Sequence, residues 1–233
     1  MAETQKLATS YSPQILVFLV DNSGSMSDPG VDKTTPKCET ATEALRQVVM
    51  QLQADSVNAG ANRYFVSIAA FGDEVVPLAE AKGPLEIEDV ESIQLDGNGG
   101  YTRMAAALEW AQQAVTGSLV IMRNTVSGYV EARTPAPVVI LVTDGDNTDK
   151  EHDPVAAAGS LRAIHFEGDT VRVVAAGIAM QDEHFELMRR VASSPEYAVN
   201  LRLEDFGSFI ASAGTSTPAE LAGVVNGYQR PGR

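Results

Sequence analysis

ILVFLVDNSGSMSD, residues 15–28, is the stretch from which the rest of the sequence is interpreted. Six apolar residues run directly into Asp21, and Ser23 and Ser25 follow at every second position. A continuous apolar run is typical of a strand that is covered on both faces, as in a parallel sheet. Because alternate residues of an extended segment point to the same side, the stretch predicts one carboxylate and two hydroxyls presented together where the strand ends.

Similar apolar runs, each bounded by turn residues, recur along the chain at 63–71, 136–144 and 169–178. A shorter run at 74–80 contains Pro77 and follows a Gly-Asp turn, which predicts an edge strand. Helical patterns separate the runs, at 38–56, 103–115, 153–165, 182–194 and 203–213. This alternation predicts an α/β fold: a doubly wound, mostly parallel central sheet with helices on both faces and one short antiparallel edge strand.

The composition restricts the class of protein and its compartment. A chain of 233 residues has room for one large α/β domain or two small ones, and 44% hydrophobic with 21% charged residues is typical of a globular protein. The formal net charge of −14 argues against nucleic acid or an anionic membrane binding to a general basic surface. Cys38 has no second cysteine to pair with, and neither a signal-peptide core nor an apolar stretch of 18 residues is present. We therefore expect a cytoplasmic protein.

We expect three parts along the chain. Residues 1–11 are polar and are expected to be a flexible N-terminus, and the folded domain is expected over 12–213. The segment 214–233 begins with loop-like composition and ends polar, so we expect a loosely attached tail. Within the domain, 27–37 and 127–137 read as loops.

A second strand-terminal carboxylate completes the candidate site. Asp144 follows the apolar run at 136–143, just as Asp21 follows the first run. Ligands of open parallel sheets bind beyond the carboxyl ends of the strands, and two carboxylates there would repel each other unless a cation lay between them. Oxygen ligands without nearby His or Cys indicate a hard ion, either Mg²⁺, Ca²⁺ or Mn²⁺. Thr102, at a Gly-rich turn where a helix begins, adds a third hydroxyl.

Three motifs in this order resemble the von Willebrand factor A (vWA) family. They are DNSGSM, similar to its D-x-S-x-S motif; GGYTRMAAAL, similar to its threonine-bearing turn; and LVTDGDNTD, similar to its T-D-G segment. The resemblance covers about residues 12–213 and implies a Rossmann-like vWA fold with a metal-ion-dependent adhesion site (MIDAS). The metal ligands that it implies are Asp21, Ser23, Ser25, Thr102 and Asp144. In that family the hydroxyls bind the metal directly, one or both aspartates act through water, and an acidic side chain of a partner protein takes an open position.

Within the family, the segments YFVSIAAFGDEVVPLAE and LVTDGDNTDKE are similar to bacterial stand-alone proteins of the tellurium-resistance (TerY) type. This closer resemblance implies a role in tellurium resistance or a stress response. Of the three hard ions, we expect Mg²⁺ as the cofactor, with Ca²⁺ or Mn²⁺ as alternatives. Tyr101 is a departure, since the closest relatives place the threonine directly after the glycines. Acidic residues near the predicted site would be either a rim that meets the partner or solvated loop charges, namely Asp28, Asp32, Asp96, Asp146, Asp149, Glu151 and Asp153.

Two other functions compete with metal-dependent protein binding. A Mg²⁺-dependent hydrolase would use the same carboxylates, but the sequence lacks a P-loop, a G-x-S-x-G elbow and the second acidic residue of a haloacid-dehalogenase-like site, where Ser23 stands. The three histidines fall in helical or loop patterns and are expected on the surface. A subunit of a larger ATPase or chelatase assembly is the second alternative, with the ATPase module supplied by another chain. We expect the chain not to be an enzyme.

Overall fold

The strand predicted from the opening stretch, β1 (Gln14–Asp21), lies inside the main sheet, and all eight of its residues are buried. The computed structural model describes residues 6–30, 33–145, 147–166 and 169–229. The other strands are β2 (Tyr64–Phe71), β3 (Val75–Lys82), β4 (Val138–Thr143), β5 (His165–Phe166), β6 (Asp169–Thr170), β7 (Arg172–Ile178) and β8 (Ala198–Leu201). The helices are α1 (Lys37–Ala59), α2 (Met104–Thr125), α3 (Pro154–Arg162), α4 (Asp182–Val191), α5 (Phe206–Gly214) and α6 (Leu221–Tyr228).

The six-stranded sheet has the order β3-β2-β1-β4-β7-β8. All neighbouring strands are parallel except β2 and β3, which are antiparallel, so the predicted sheet and its antiparallel edge strand are confirmed. Pro77, which cannot donate to a ladder, is exposed on β3. β8 was not predicted, because its four residues, which follow a turn that begins at Pro195, carry too short a pattern. β5 and β6 pair separately as a two-stranded antiparallel sheet.

The helices fall into two contacting groups, α2 with α3 and α4, and α1 with α5 and α6. On α1, the apolar residues Ala44, Val48 and Leu52, spaced four apart, are buried. Gly214 lets α5 approach α1 and β1 closely, because a Cβ at that position would lie 2.8 Å from Val48 Cγ1 and 2.9 Å from Phe18 Cζ. Among the described helices, none combines the length and the apolar character needed to span a lipid bilayer.

The segment that we expected to be a loosely attached tail contains α6, which packs on α5 and β8. Its Leu221 and Val225, spaced four apart on one face of the helix, are fully buried. The aliphatic residues of this segment gave too weak a signal, because their burial depends on the groove that the earlier elements form. At the other end, Arg63 donates hydrogen bonds of 2.6 and 3.1 Å to the carbonyl of Ala8, within the segment expected to be flexible. Residues 1–5 and 230–233 lie outside the described ranges.

Candidate metal centre

The carboxyl ends of β1 and β4 form the edge where the predicted ligands meet. The chain leaves β1 to build β2 and β3 on one side and returns to place β4 on the other, so a topological switch lies between β1 and β4. Crevices at such switch points are the usual ligand sites of open α/β sheets. The register pairs Val20 with Val142, which places Asp21 level with Thr143 and Asp144 one residue beyond. The two aspartates therefore flank the crevice, as the sequence predicted.

Asp21 is fully buried, and both of its carboxylate oxygens accept hydrogen bonds. Oδ1 accepts from the backbone N–H of Ser23 at 2.8 Å, and Oδ2 accepts from the Thr143 hydroxyl. Burial raises the pKa of Asp21 to about 6, because an ionised carboxylate loses its hydration; the bonds from Thr143 and Ser23 offset part of this rise. Asp21 thus holds the start of the turn that carries Ser23 and Ser25, which we call the serine turn. The negative charge of Asp21 remains incompletely compensated.

The next three ligand side chains form a continuous row of oxygens. Ser23 Oγ lies 3.1 Å from Ser25 Oγ, and Ser25 Oγ donates to Asp144 Oδ1 at 2.7 Å. Neighbouring oxygens of an octahedral Mg²⁺ are about 3 Å apart, given metal–oxygen distances of about 2.1 Å. The row therefore fits adjacent positions of one small hard cation.

Thr102 reaches the same place from the turn before α2. It is 4% exposed, and a methyl group built on Gly145 would lie 3.6 Å from Thr102 Oγ1 and 3.7 Å from Ser25 Oγ. The Thr102 amide donates to Thr148 Oγ1 at 2.8 Å, which ties the turn to the segment after β4. Tyr101, the extra residue of the turn, points outward with 52% exposure, and the Arg103 guanidinium lies 5.6 Å from its ring centre. The additional residue thus leaves the threonine directed at the site.

Close backbone packing holds the Gly-rich turn against the serine turn. Gly24 N–H donates to the carbonyl of Gly99 at 2.5 Å, and Gly99 N–H donates to the carbonyl of Asn22 at 3.0 Å. A Cβ at Gly99 would lie 3.0 Å from that Asn22 oxygen, and Gly97 has a φ of +64°, so larger residues would be strained at both positions. Glycine is required here for this close approach.

The structure brings together all five predicted ligands, Asp21, Ser23, Ser25, Thr102 and Asp144, and we call this set the metal centre. Within the described ranges, no three His, Cys, Asp or Glu side chains converge as a metal site, so the metal centre is distinguished by its hydroxyls. Hydroxyl and carboxylate oxygens suit a hard divalent cation, and the two carboxylates supply the negative charge that it needs. The donor set fits such an ion.

Three supporting residues were missed from sequence. Thr143 bonds Asp21, and the Asn22 side-chain oxygen accepts from the N–H groups of Asp96 and Gly97 at 2.9 and 2.7 Å, fixing the two turns to each other. Lys37, the first residue of α1, donates to Asp144 Oδ2 at 2.5 Å and to the Ser25 carbonyl at 3.0 Å. A lysine is unfavourable at a helix N-terminus, which carries a partial positive charge, and this feature of the sequence could have identified Lys37.

The predicted acidic rim is only partly free to meet a ligand. Asp96 accepts hydrogen bonds from the side-chain amides of Asn22 and Asn98 at 2.8 and 2.6 Å, and Asp153 caps α3 through the N–H of Val155. Bonds from Glu151 N–H and from the His152 side chain hold the pKa of Asp149 below its ordinary value. Asp28 and Glu151 are exposed, whereas Asp32 and Asp146 lie outside the described residues.

A family model described as the von Willebrand factor type A domain matches residues 16–213. Proximal thread matrix protein 1 from the mussel byssus is 17% identical, with a TM-score of 0.62, over 91% of this chain and 48% of that one. Its form with a zinc-occupied MIDAS motif is 18% identical, with a TM-score of 0.58, over 89% and 46% of the two chains. A von Willebrand factor type A structure from Catenulispora acidiphila is 18% identical, with a TM-score of 0.57, over 87% and 43%.

This chain therefore spans less than half the length of those solved chains, and at such low identity the likeness shows the fold alone. A comparison with curated protein sequences found no significant match.

Proposed function

Because the chain belongs to the von Willebrand factor type A domain family, we propose that it is a metal-ion-dependent protein-binding module whose bound cation receives an acidic side chain of a partner. The observation that carries the proposal is the row of oxygens from Ser23 through Ser25 to Asp144, with spacings of 3.1 and 2.7 Å. A divalent cation bound there supplies a Lewis-acidic position that a carboxylate can occupy. Hydrogen bonds from neighbouring residues hold and orient the ligand side chains of the metal centre.

We propose Mg²⁺ as the ion used in the cell, with Ca²⁺ or Mn²⁺ as alternatives. The donors are carboxylate and hydroxyl oxygens, which suit these hard ions better than soft ones. The zinc-occupied MIDAS motif of the mussel protein supports a divalent cation at this position, although that structure is 18% identical to this chain. Titration calorimetry with Mg²⁺, Ca²⁺, Mn²⁺ and Zn²⁺ compares their affinities for the metal centre and tests this assignment.

We propose a binding role without catalysis. Both oxygens of Asp21 are engaged by Ser23 and Thr143, which suits a carboxylate that organises a site and not one that exchanges protons with a substrate. The imidazole of His152 bonds Asp149 at 2.9 Å, and the His184 ring lies 3.5 Å from Glu183, so both rings contact carboxylates that are not part of the metal centre. A tellurium-resistance or stress-response setting and a cytoplasmic location rest on the sequence alone.

The partner that fits best presents one Asp or Glu among Lys or Arg residues. A protein of charge −14 repels an acidic surface, so specific attraction must come from the cation at the metal centre. Basic neighbours of the ligand carboxylate would meet exposed acids such as Asp28 and Glu151. Added salt should therefore slow association, whereas chelation should abolish specific binding.

Affinity capture from the cells that express the protein tests the proposal. The parent chain is immobilised with Mg²⁺ or with chelator, beside Thr102→Ala and a matched control, Thr116→Ala, whose exposed hydroxyl bonds only its own helix at Gln112. We expect a partner that is retained by the parent and by Thr116→Ala with Mg²⁺, and lost with chelator or with Thr102→Ala. A partner that binds equally under all four conditions would show that recognition uses another surface.

A further inference from the structure

Lys37 is placed against the metal centre by the loop that precedes α1. Its Nζ lies 2.5 Å from Asp144 Oδ2 and 3.0 Å from the carbonyl oxygen of Ser25. The Lys37 side chain is 15% exposed and that of Asp144 is 2% exposed, so this ion pair is largely removed from water. An interaction between charges is screened much less at such a position than on an open surface.

The position is unfavourable for a lysine unless Asp144 compensates for it. The first turn of a helix carries a partial positive charge, which disfavours a cation there, and burial of an ammonium is costly without a partner. The loop nevertheless fixes Lys37 in place: Gly30 N–H donates to the Thr35 carbonyl at 2.6 Å, and Lys37 N–H donates to the Asp28 carbonyl at 3.1 Å. A local preference that is overridden in this way is typical of functional positions.

The ammonium changes the charge with which the metal centre meets a cation. Asp21 and Asp144 carry two negative charges when ionised, the hydroxyls carry none, and Lys37 returns one positive charge. Asp144 divides its oxygens between the two neighbours, with Oδ1 accepting from Ser25 and Oδ2 from Lys37. Lys37 therefore reduces the net charge of the site from −2 to −1 without using the oxygen that lies in the ligand row.

We propose that Lys37 is a built-in counter-charge of the metal centre, which lowers its affinity for divalent cations and leaves a bound cation more positive toward an acidic ligand. This inference rests on the proposed function, because it requires a cation at the metal centre. Lys37 acts through Asp144 and is thus a positioning and charge-setting residue. If it merely closed the loop, its removal would lower stability and would leave metal affinity unchanged or reduced.

Calorimetric titration with Mn²⁺ alone at one fixed pH tests the proposal. Lys37→Met should bind Mn²⁺ at least tenfold more tightly than the parent, and Lys37→Arg, which keeps the charge, should stay within threefold of it. Lys150→Met is the matched control, because it removes one exposed charge from the segment after β4 and should also stay within threefold. Thermal melting in chelator confirms that each variant is folded, and Lys37→Gln replaces Lys37→Met if the latter does not fold.

The possible results separate the two hypotheses. If the parent binds Mn²⁺ and the neutral variant binds equally or more weakly, the counter-charge is refuted while the metal centre stands. If only the neutral variant binds, the counter-charge is supported in its strongest form. If neither chain binds Mn²⁺, both the counter-charge and the proposed function are overturned.

Discussion

The hydroxyl of Ser25 donates to Asp144 Oδ1 at 2.7 Å, although 119 positions separate the two residues in the chain. Parallel pairing of β1 with β4 brings them together, since both strands end at the same edge of the sheet. This contact closes the row of oxygens that we assign to a cation.

Removing the Ser25 hydroxyl should weaken metal binding. We expect Ser25→Ala and Asp21→Ala each to reduce Mn²⁺ or Mg²⁺ affinity at least tenfold, or about 1.4 kcal/mol, by titration calorimetry. Ser27→Ala is the control, because this exposed hydroxyl in the same turn bonds the Gly24 carbonyl at 2.7 Å and does not belong to the row. Parent-like affinity in both test variants would place the cation elsewhere.

Filling the space beside Gly145 should exclude the cation without unfolding the protein. A methyl group there meets Thr102 Oγ1 and Ser25 Oγ at 3.6 and 3.7 Å, which is ordinary contact, but it occupies the space between these two hydroxyls. We expect Gly145→Ala to bind Mn²⁺ at least tenfold more weakly and to melt in chelator close to the parent. Gly117→Ala, at an open helical position, should leave Mn²⁺ affinity unchanged and should raise the free energy of unfolding by about 0.5–1 kcal/mol.

Asp21 should make the metal-free protein less stable as the pH rises. Its folded pKa of about 6 lies above the ordinary value of 3.8, so its contribution is fully favourable below about pH 4 and is lost as the pH passes 6. The loss is on the order of 3 kcal/mol. In chelator, Asp21→Asn should therefore exceed the parent in melting temperature at pH 7, and the difference should shrink toward pH 4.

The same titration distinguishes this effect from a general change of charge. Asp89→Asn removes an exposed carboxylate and should follow the parent at every pH. Added Mg²⁺ should raise the melting temperature of the parent at pH 7 more than at pH 5, because the ion stabilises the ionised form of Asp21. This account would be contradicted if neither Mg²⁺ nor chelator changed the melting temperature of the parent, and if Asp21→Asn melted at the same temperature as the parent.

Helix α6 should contribute to the stability of the domain. Leu221 is fully buried against the sheet layer, so Leu221→Ala should lower the free energy of unfolding by about 2–5 kcal/mol in urea titration. Asn226→Ala, on the exposed face of the same helix, is the control and should change it by less than about 0.5 kcal/mol. Equal stability of Leu221→Ala and the parent would support the loosely attached tail that the composition predicts.

The sequence alone predicted the strands β1, β2, β4 and β7, the edge strand β3, and the meeting of Asp21, Ser23, Ser25 and Asp144 at one edge of the sheet. Local patterns carry this information: continuous apolar runs indicate buried parallel strands, and the polar residues after them must meet at the carboxyl edge of one sheet. The resemblance to the vWA family added the role of Thr102 as a metal ligand.

Only the tertiary structure decided the placement of Lys37, the burial of Leu221 and the outward position of Tyr101. Each of these depends on surfaces built by distant segments: the edge of β4 for Lys37, the groove along α5 and β8 for Leu221, and the backbone contact of Gly99 with Asn22 for the turn that carries Tyr101. A pattern along the chain records which side chains are apolar or charged. The pattern does not show which distant parts of the chain these side chains will contact, and such a contact sets the charge of the metal centre.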